Sequence, residues 1–108
     1  MMKPAMLPSL AAIAVALYAV AAVAQEVPKL DVTPLCRAQA KASQDLADAC
    51  LADEKKAQDE LVRRWAQFAS ADKARCTGMA KSIAGAQSYV ELLTCLQIAL
   101  DVKSLPKQ

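Results

Sequence analysis

The sequence predicts an all-α fold, a small bundle of about four helices braced by two disulfides. Three observations carry that prediction. From Leu35 to Ala69 there is neither proline nor glycine and alanine is frequent, so helix propensity is high throughout. Ser88 is followed three residues later by Glu91, a capping box at the head of a strongly apolar helical segment. Four cysteines stand in a chain of only 108 residues.

The N-terminal part reads as a targeting segment. Lys3 supplies a basic start, and Ala5 to Ala24 is an apolar run broken only by Pro8 and Ser9. The run closes on Ala22-Val23-Ala24 and turns polar at Gln25-Glu26, which predicts a signal peptide over 1–24 cleaved after Ala24. The rival is an uncleaved anchor, because the run approaches the ~20 residues that span a bilayer. Its alanine-rich composition and cleavage box favour the signal, so membrane contact is expected only if that segment is retained. No cysteine lies beside the cleavage point to take a lipid. The expected location is periplasmic or secreted. There a small domain with a limited core is commonly held by disulfides.

An extended leader is expected over 25–33, since Pro28 falls in a stretch with no helical pattern. The helical domain then runs over 34–103 and a short tail over 104–108. Thr33-Pro34 is a helix start, with Thr as N-cap and Pro where its missing N–H costs nothing. Ser43-Gln44-Asp45 is the one cluster that favours a break, giving a short helix at 34–42 and a long one at 46–69. In the long helix Leu51, Ala57, Leu61, Trp65 and Phe68 form the expected core stripe. Asp59 with Arg63 and Glu60 with Arg64 are the expected ion pairs on its outer face. Ser70 or Asp72 caps a third helix whose apolar side is Cys76, Met79, Ala80 and Ile83, although Gly78 weakens it. Gly85 marks the turn into the Ser88 helix, which extends to Lys103 before Pro106. That last helix has only Glu91, Thr94, Gln97 and Asp101 as a polar stripe, so its neighbours are expected to wrap it.

Four cysteines allow three pairings. Cys76 and Cys95 flank Gly85 almost symmetrically, so an antiparallel hairpin brings them level. Cys36 and Cys50 are then left for each other. On one unbroken helix they would lie about 21 Å apart, whereas a disulfide needs Cα atoms within ~7 Å. Their pairing therefore requires the break near Ser43. The nested scheme, Cys36 with Cys95 and Cys50 with Cys76, would centre a hairpin near Arg63, where nothing breaks a helix. The two local pairs are preferred, with the other schemes left open. A four-cysteine zinc site normally shows close pairs such as C-x2-C, and none occurs here. Redox and haem C-x-x-C motifs are also absent.

Few other residues point to chemistry. Trp65 and Phe68 could wall a ligand site, but aromatic residues at this spacing ordinarily fill a core. Arg63, Arg64, Lys73, Arg75 and Lys81, offset only by Asp72, could meet an anionic surface or simply form a solvated face. The acidic residues from Asp45 to Glu60 match no calcium loop. The chain contains no histidine, which removes the commonest metal ligand and general base. The formal net charge is +2, and losing Lys3 would lower it, too little for a nucleic-acid binder. No catalytic residue, metal or cofactor is expected. Cys36, Cys50, Cys76 and Cys95, as disulfides, are the only site residues singled out.

The block Ser88-Tyr89-Val90-Glu91-Leu92-Leu93-Thr94-Cys95-Leu96, with Trp65-x2-Phe68 and Cys76 before it, resembles a group of small exported alphaproteobacterial proteins. That resemblance spans about Cys50 to Ala99 and implies export and a helical fold. The order Cys36, Cys50, Leu61, Trp65, Phe68, Cys76, Gly85, Cys95 is also similar to the LprI-like lysozyme-inhibitor domain. The gap from Trp65 to Cys76 is longer than in that family, and Trp65 must serve two of its motifs. No site residue carries over from either likeness. The expected role is a non-catalytic interaction module whose partner is an envelope protein or a cell-wall component. Lysozyme inhibition and an acid- or stress-responsive chaperone-like role are the alternatives.

Overall fold

The computed structural model describes residues 26–106. The expected signal peptide over 1–24 and the last two residues of the tail lie outside the described residues. Four α-helices follow the leader, and no strand occurs among the described residues. They are α1 (Thr33–Gln39), α2 (Gln44–Arg64), α3 (Ser70–Ala80) and α4 (Tyr89–Lys103). No described helix is long and apolar enough to cross a membrane.

The leader is non-helical, as expected, and it is anchored. Leu30 is buried, and its N–H donates to the Tyr89 hydroxyl at 2.9 Å. The Asp31 N–H donates to Gln87 Oε1 at 2.8 Å. Val32, rather than Thr33, holds the N-cap position of α1 without a side-chain cap, and Asp31 Oδ1, just before it, accepts the Thr33 N–H at 3.1 Å. Thr33 is already helical, and Pro34 sits in the first turn.

The break at Ser43 occurs where the cap chemistry puts it. Ser43 is extended, and its Oγ accepts the Leu46 N–H at 3.1 Å. This turn folds α1 back on α2 and brings Cys36 and Cys50 into a disulfide with Cα atoms 5.4 Å apart. Cys76 and Cys95 form the second bridge, at 5.6 Å. Both local pairs are therefore made, and no described cysteine is free.

The long helix stops at Arg64, earlier than its propensity suggests. A short 3-10 turn over Trp65–Gln67 follows, and Phe68 is extended. Tertiary packing overrides the local preference here. The change of backbone allows Trp65 and Phe68 both to be buried, beside Leu61, Tyr89, Leu92 and Leu96. Gly85 takes a positive φ of 80° in the α3–α4 connection, a conformation open to glycine at little cost.

Several expected core positions are corrected. Leu51 is 47% exposed, and Met79 and Ile83 are exposed as well. The disulfide explains Leu51: Cys50 must face Cys36, and the next residue is turned ~100° round the helix. Ala47, Glu54, Ala57 and Leu61 line the buried face instead. On α3 the buried residues are Asp72, Lys73, Cys76 and Ala80. No side chain caps α3: Ala69 holds the N-cap position, with Ser70 already in the helix. One of the two expected ion pairs is made and one is not: Glu60 meets Arg64, and Arg63 as well, whereas Asp59 meets Lys55 at 2.7 Å rather than Arg63. Exposed pairs of this kind contribute about 0–1 kcal/mol, so the exchange matters little for stability.

The two bridges should differ in what they hold. Replacing Cys76 and Cys95 by serine is expected to cost about 3 kcal/mol or more and to melt the domain cooperatively at lower temperature. The same change at Cys36 and Cys50 should free α1 while α2 to α4 stay folded. Thermal denaturation with amide exchange of each double variant checks this, after a non-reducing peptide map confirms the pairing in the parent.

Candidate binding groove

Helices α3 and α4 run antiparallel, since Asp72 meets Lys103 near one end and Cys76 meets Cys95 near the middle. The buried side of α4 carries Tyr89, Leu92 and Leu96. Its opposite side is not wrapped, contrary to the sequence expectation. Val90, Ile98 and Val102 are exposed at helical spacing, and Met79 of α3 is exposed beside them. With Cys95 and Ala99 they line a solvent-open groove of about 740 Å³. That size falls within the ~300–1,000 Å³ typical of small-molecule sites.

One end of this groove is polar. Asp72 is buried, and its two oxygens are divided between two cations: Oδ1 with Arg75 at 3.1 Å, Oδ2 with Lys103. The Lys103 hydrogen bond is the main cause of a lowered Asp72 pKa; partial burial opposes it, and the Lys103 and Arg75 charges reinforce it. Both cationic side chains are themselves more than half exposed. Glu91 stands at the other end, by the start of α4.

A second polar centre lies between α2 and α4, and it is fully occupied. The buried Glu54 carboxylate accepts the Ser88 hydroxyl at 2.6 Å, the Tyr89 N–H at 2.6 Å and the Val90 N–H at 3.4 Å. Ser88 Oγ in turn accepts the Glu91 N–H at 3.1 Å. Ser88 thus makes its half of the expected capping box, while the Tyr89 and Val90 N–H groups are met by Glu54 from another helix rather than by Glu91. A carboxylate at a helix N-terminus satisfies orphan donors and meets the positive end of the dipole. Nothing singled out Glu54 beforehand, although its spacing to Ala57 and Leu61 places it on the apolar face.

The remaining candidates resolve into packing. Trp65 and Phe68 are buried in the core. Lys73 lies 5.1 Å from the Trp65 ring centroid and Arg64 lies 5.3 Å from that of Phe68. Arg64 also donates to Gln97 at 2.6 Å, while Arg63 pairs with Glu60. Arg63 and Arg64 share Glu60, Arg75 pairs with Asp72 and Lys73 lies over Trp65, so Glu60 joins Asp72 in offsetting the basic residues. Among the described residues, no three His, Cys, Asp or Glu side chains gather as a metal site would require. Comparison with protein-family models, curated proteins and solved structures finds no match to this chain.

Two substitutions probe the ends of α4. Glu54→Ala should destabilise by about 2–3 kcal/mol, because it leaves the Ser88 hydroxyl and the Tyr89 N–H buried without a partner. Urea denaturation measures it. Lys103→Met tests the other end through pH. A lowered Asp72 pKa means the ion pair stabilises the fold fully above the ordinary carboxylate range and loses that effect as pH falls through the lowered value. The stability gap between parent and variant should hold near neutrality and close in strong acid, as read by urea midpoints across pH.

Proposed function

We propose that this protein is a non-catalytic binding module of the periplasm or cell exterior, and that the α3–α4 groove is its contact surface. The observation that carries this reading is the convergence of exposed Met79, Val90, Ile98 and Val102 on one concavity. Single exposed apolar residues are ordinary, whereas a contiguous patch rimmed by charge marks interaction surfaces. Two disulfides support an oxidising compartment. So does the apolar N-terminal run ending in Ala22-Val23-Ala24. An envelope protein or cell-wall component, a lysozyme among them, is the kind of partner this reading allows.

A second reading has its own support. Helix α4 is fastened by carboxylates at both ends, Glu54 at its start and Asp72 near its finish. Acid strong enough to protonate Asp72 would loosen the fastening near the finish of α4 while the Cys76–Cys95 bridge persists. The apolar side of α4 could then serve a chaperone-like role in acid.

Ile98→Asp separates these readings, because Ile98 is exposed and its replacement leaves the core intact. A binding module should lose its dominant partner in an envelope-extract pull-down at neutral pH when Ile98 is changed. An acid chaperone should show no neutral-pH partner and should suppress aggregation of a client only at low pH.

A further inference from the structure

We propose that the α3–α4 groove binds a single-chain fatty carboxylate, with its acyl tail along Met79, Val90, Ile98 and Val102 and its head at Arg75 and Lys103. The proposal rests on the binding-module reading and names the ligand.

The charge arrangement orients the ligand. Asp72 is buried and uses one oxygen for each cation, so it holds Arg75 and Lys103 side by side at one end of an apolar trough. Two positive charges against one negative leave a surplus of one. A guanidinium has five N–H donors and an ammonium three, and the Asp72 contacts do not use them all. Both cationic side chains are more than half exposed, so the spare donors are within reach of a ligand. The opposite end carries Glu91, which repels a carboxylate. Head and tail are thereby assigned to different ends.

The length of the groove suits a single chain. The Cys76–Cys95 bridge holds α3 and α4 together at a Cα separation of 5.6 Å, with Cys95 on the groove lining. From Glu91 to Lys103 the helix rises ~18 Å, enough for a long acyl chain to lie extended. Ala99 and Cys95 are small side chains on the α4 wall, and Met79 is unbranched and adapts to an alkyl contact.

The test uses the purified disulfide-bonded protein and sodium laurate below its micelle concentration. Calorimetric titration should show saturable one-to-one binding, with NMR methyl shifts confined to Met79, Val90, Ile98 and Val102. Arg75→Gln should weaken laurate about tenfold, the loss of one charge-assisted hydrogen bond. It should leave binding of dodecanol unchanged. Ile98→Asp should abolish both. Equal affinity for laurate and dodecanol in the parent, shifts elsewhere on the protein, or binding to anionic vesicles but not to monomeric laurate would each overturn the proposal. If laurate fails while a pull-down partner is still lost with Ile98→Asp, the ligand assignment falls and the binding-module reading stands. If that partner too is indifferent to Ile98, both fall.

Discussion

The bond between Cys76 and Cys95 decides which side of α3 faces inward, and much of the molecule follows from that choice. α3 has 11 residues, below the ~12–15 at which an isolated helix is even marginal in water. Its own apolar content is too thin to orient it: apart from Cys76 and Ala80, its buried residues are Asp72 and Lys73. Sulfur supplies what hydrophobic burial does not. Cys76 is fully buried against the core that holds Leu92 and Leu96, while Met79, ~60° further round the helix, lies beyond the edge of the buried face and is exposed. There it becomes one wall of the groove.

Helix α4 depends on α3 for its middle and on charge for its ends. A buried carboxylate is costly unless its oxygens are hydrogen-bonded. Glu54 meets that condition with donors that all belong to Ser88, Tyr89 and Val90. The cost of burial and the unmet needs of a helix N-terminus cancel against each other, and the contact exists in only one register of α2 against α4. Tyr89 extends the lock, since its hydroxyl takes N–H groups from Leu30 and from Gln58, at 2.9 and 3.4 Å. Leader, α2 and α4 therefore meet at one residue.

How far the sequence spoke depended on whether the signal was local. Pro34, Ser43, Gly85 and Ser88 act through their own backbone or that of residues within one turn, and their effects were legible. The two disulfides were legible because a turn and a hairpin each bring their cysteines together. Leu51 is exposed because hydrophobicity does not say which side of a helix a neighbouring crosslink will claim, and Met79 because the buried face of α3 ends at Cys76 and Ala80. Glu54 was hidden by its setting, one acid among Asp45, Asp48, Asp53, Asp59 and Glu60. Its partners lie 34 to 36 residues away in the chain, beyond any helical repeat. The groove was hidden for a related reason. Helix α4 is apolar on nearly every side, and only the bundle shows which part of it no other helix covers.

Among the described residues, the leader does not cover that part of α4: Leu30 and Asp31 bond to Tyr89 and Gln87, and Glu26 and Pro28 lie by Trp65. Leaving Val90, Ile98 and Val102 in water forfeits burial that a polar residue at each position would not need. The polar end argues the same way. If Asp72 served only to neutralise one cation, a single partner would suffice; it draws in two from different helices and leaves their side chains open to solvent. A surface that gives up burial along its length and concentrates positive charge at one end fits a ligand that is apolar along its length and anionic at its head.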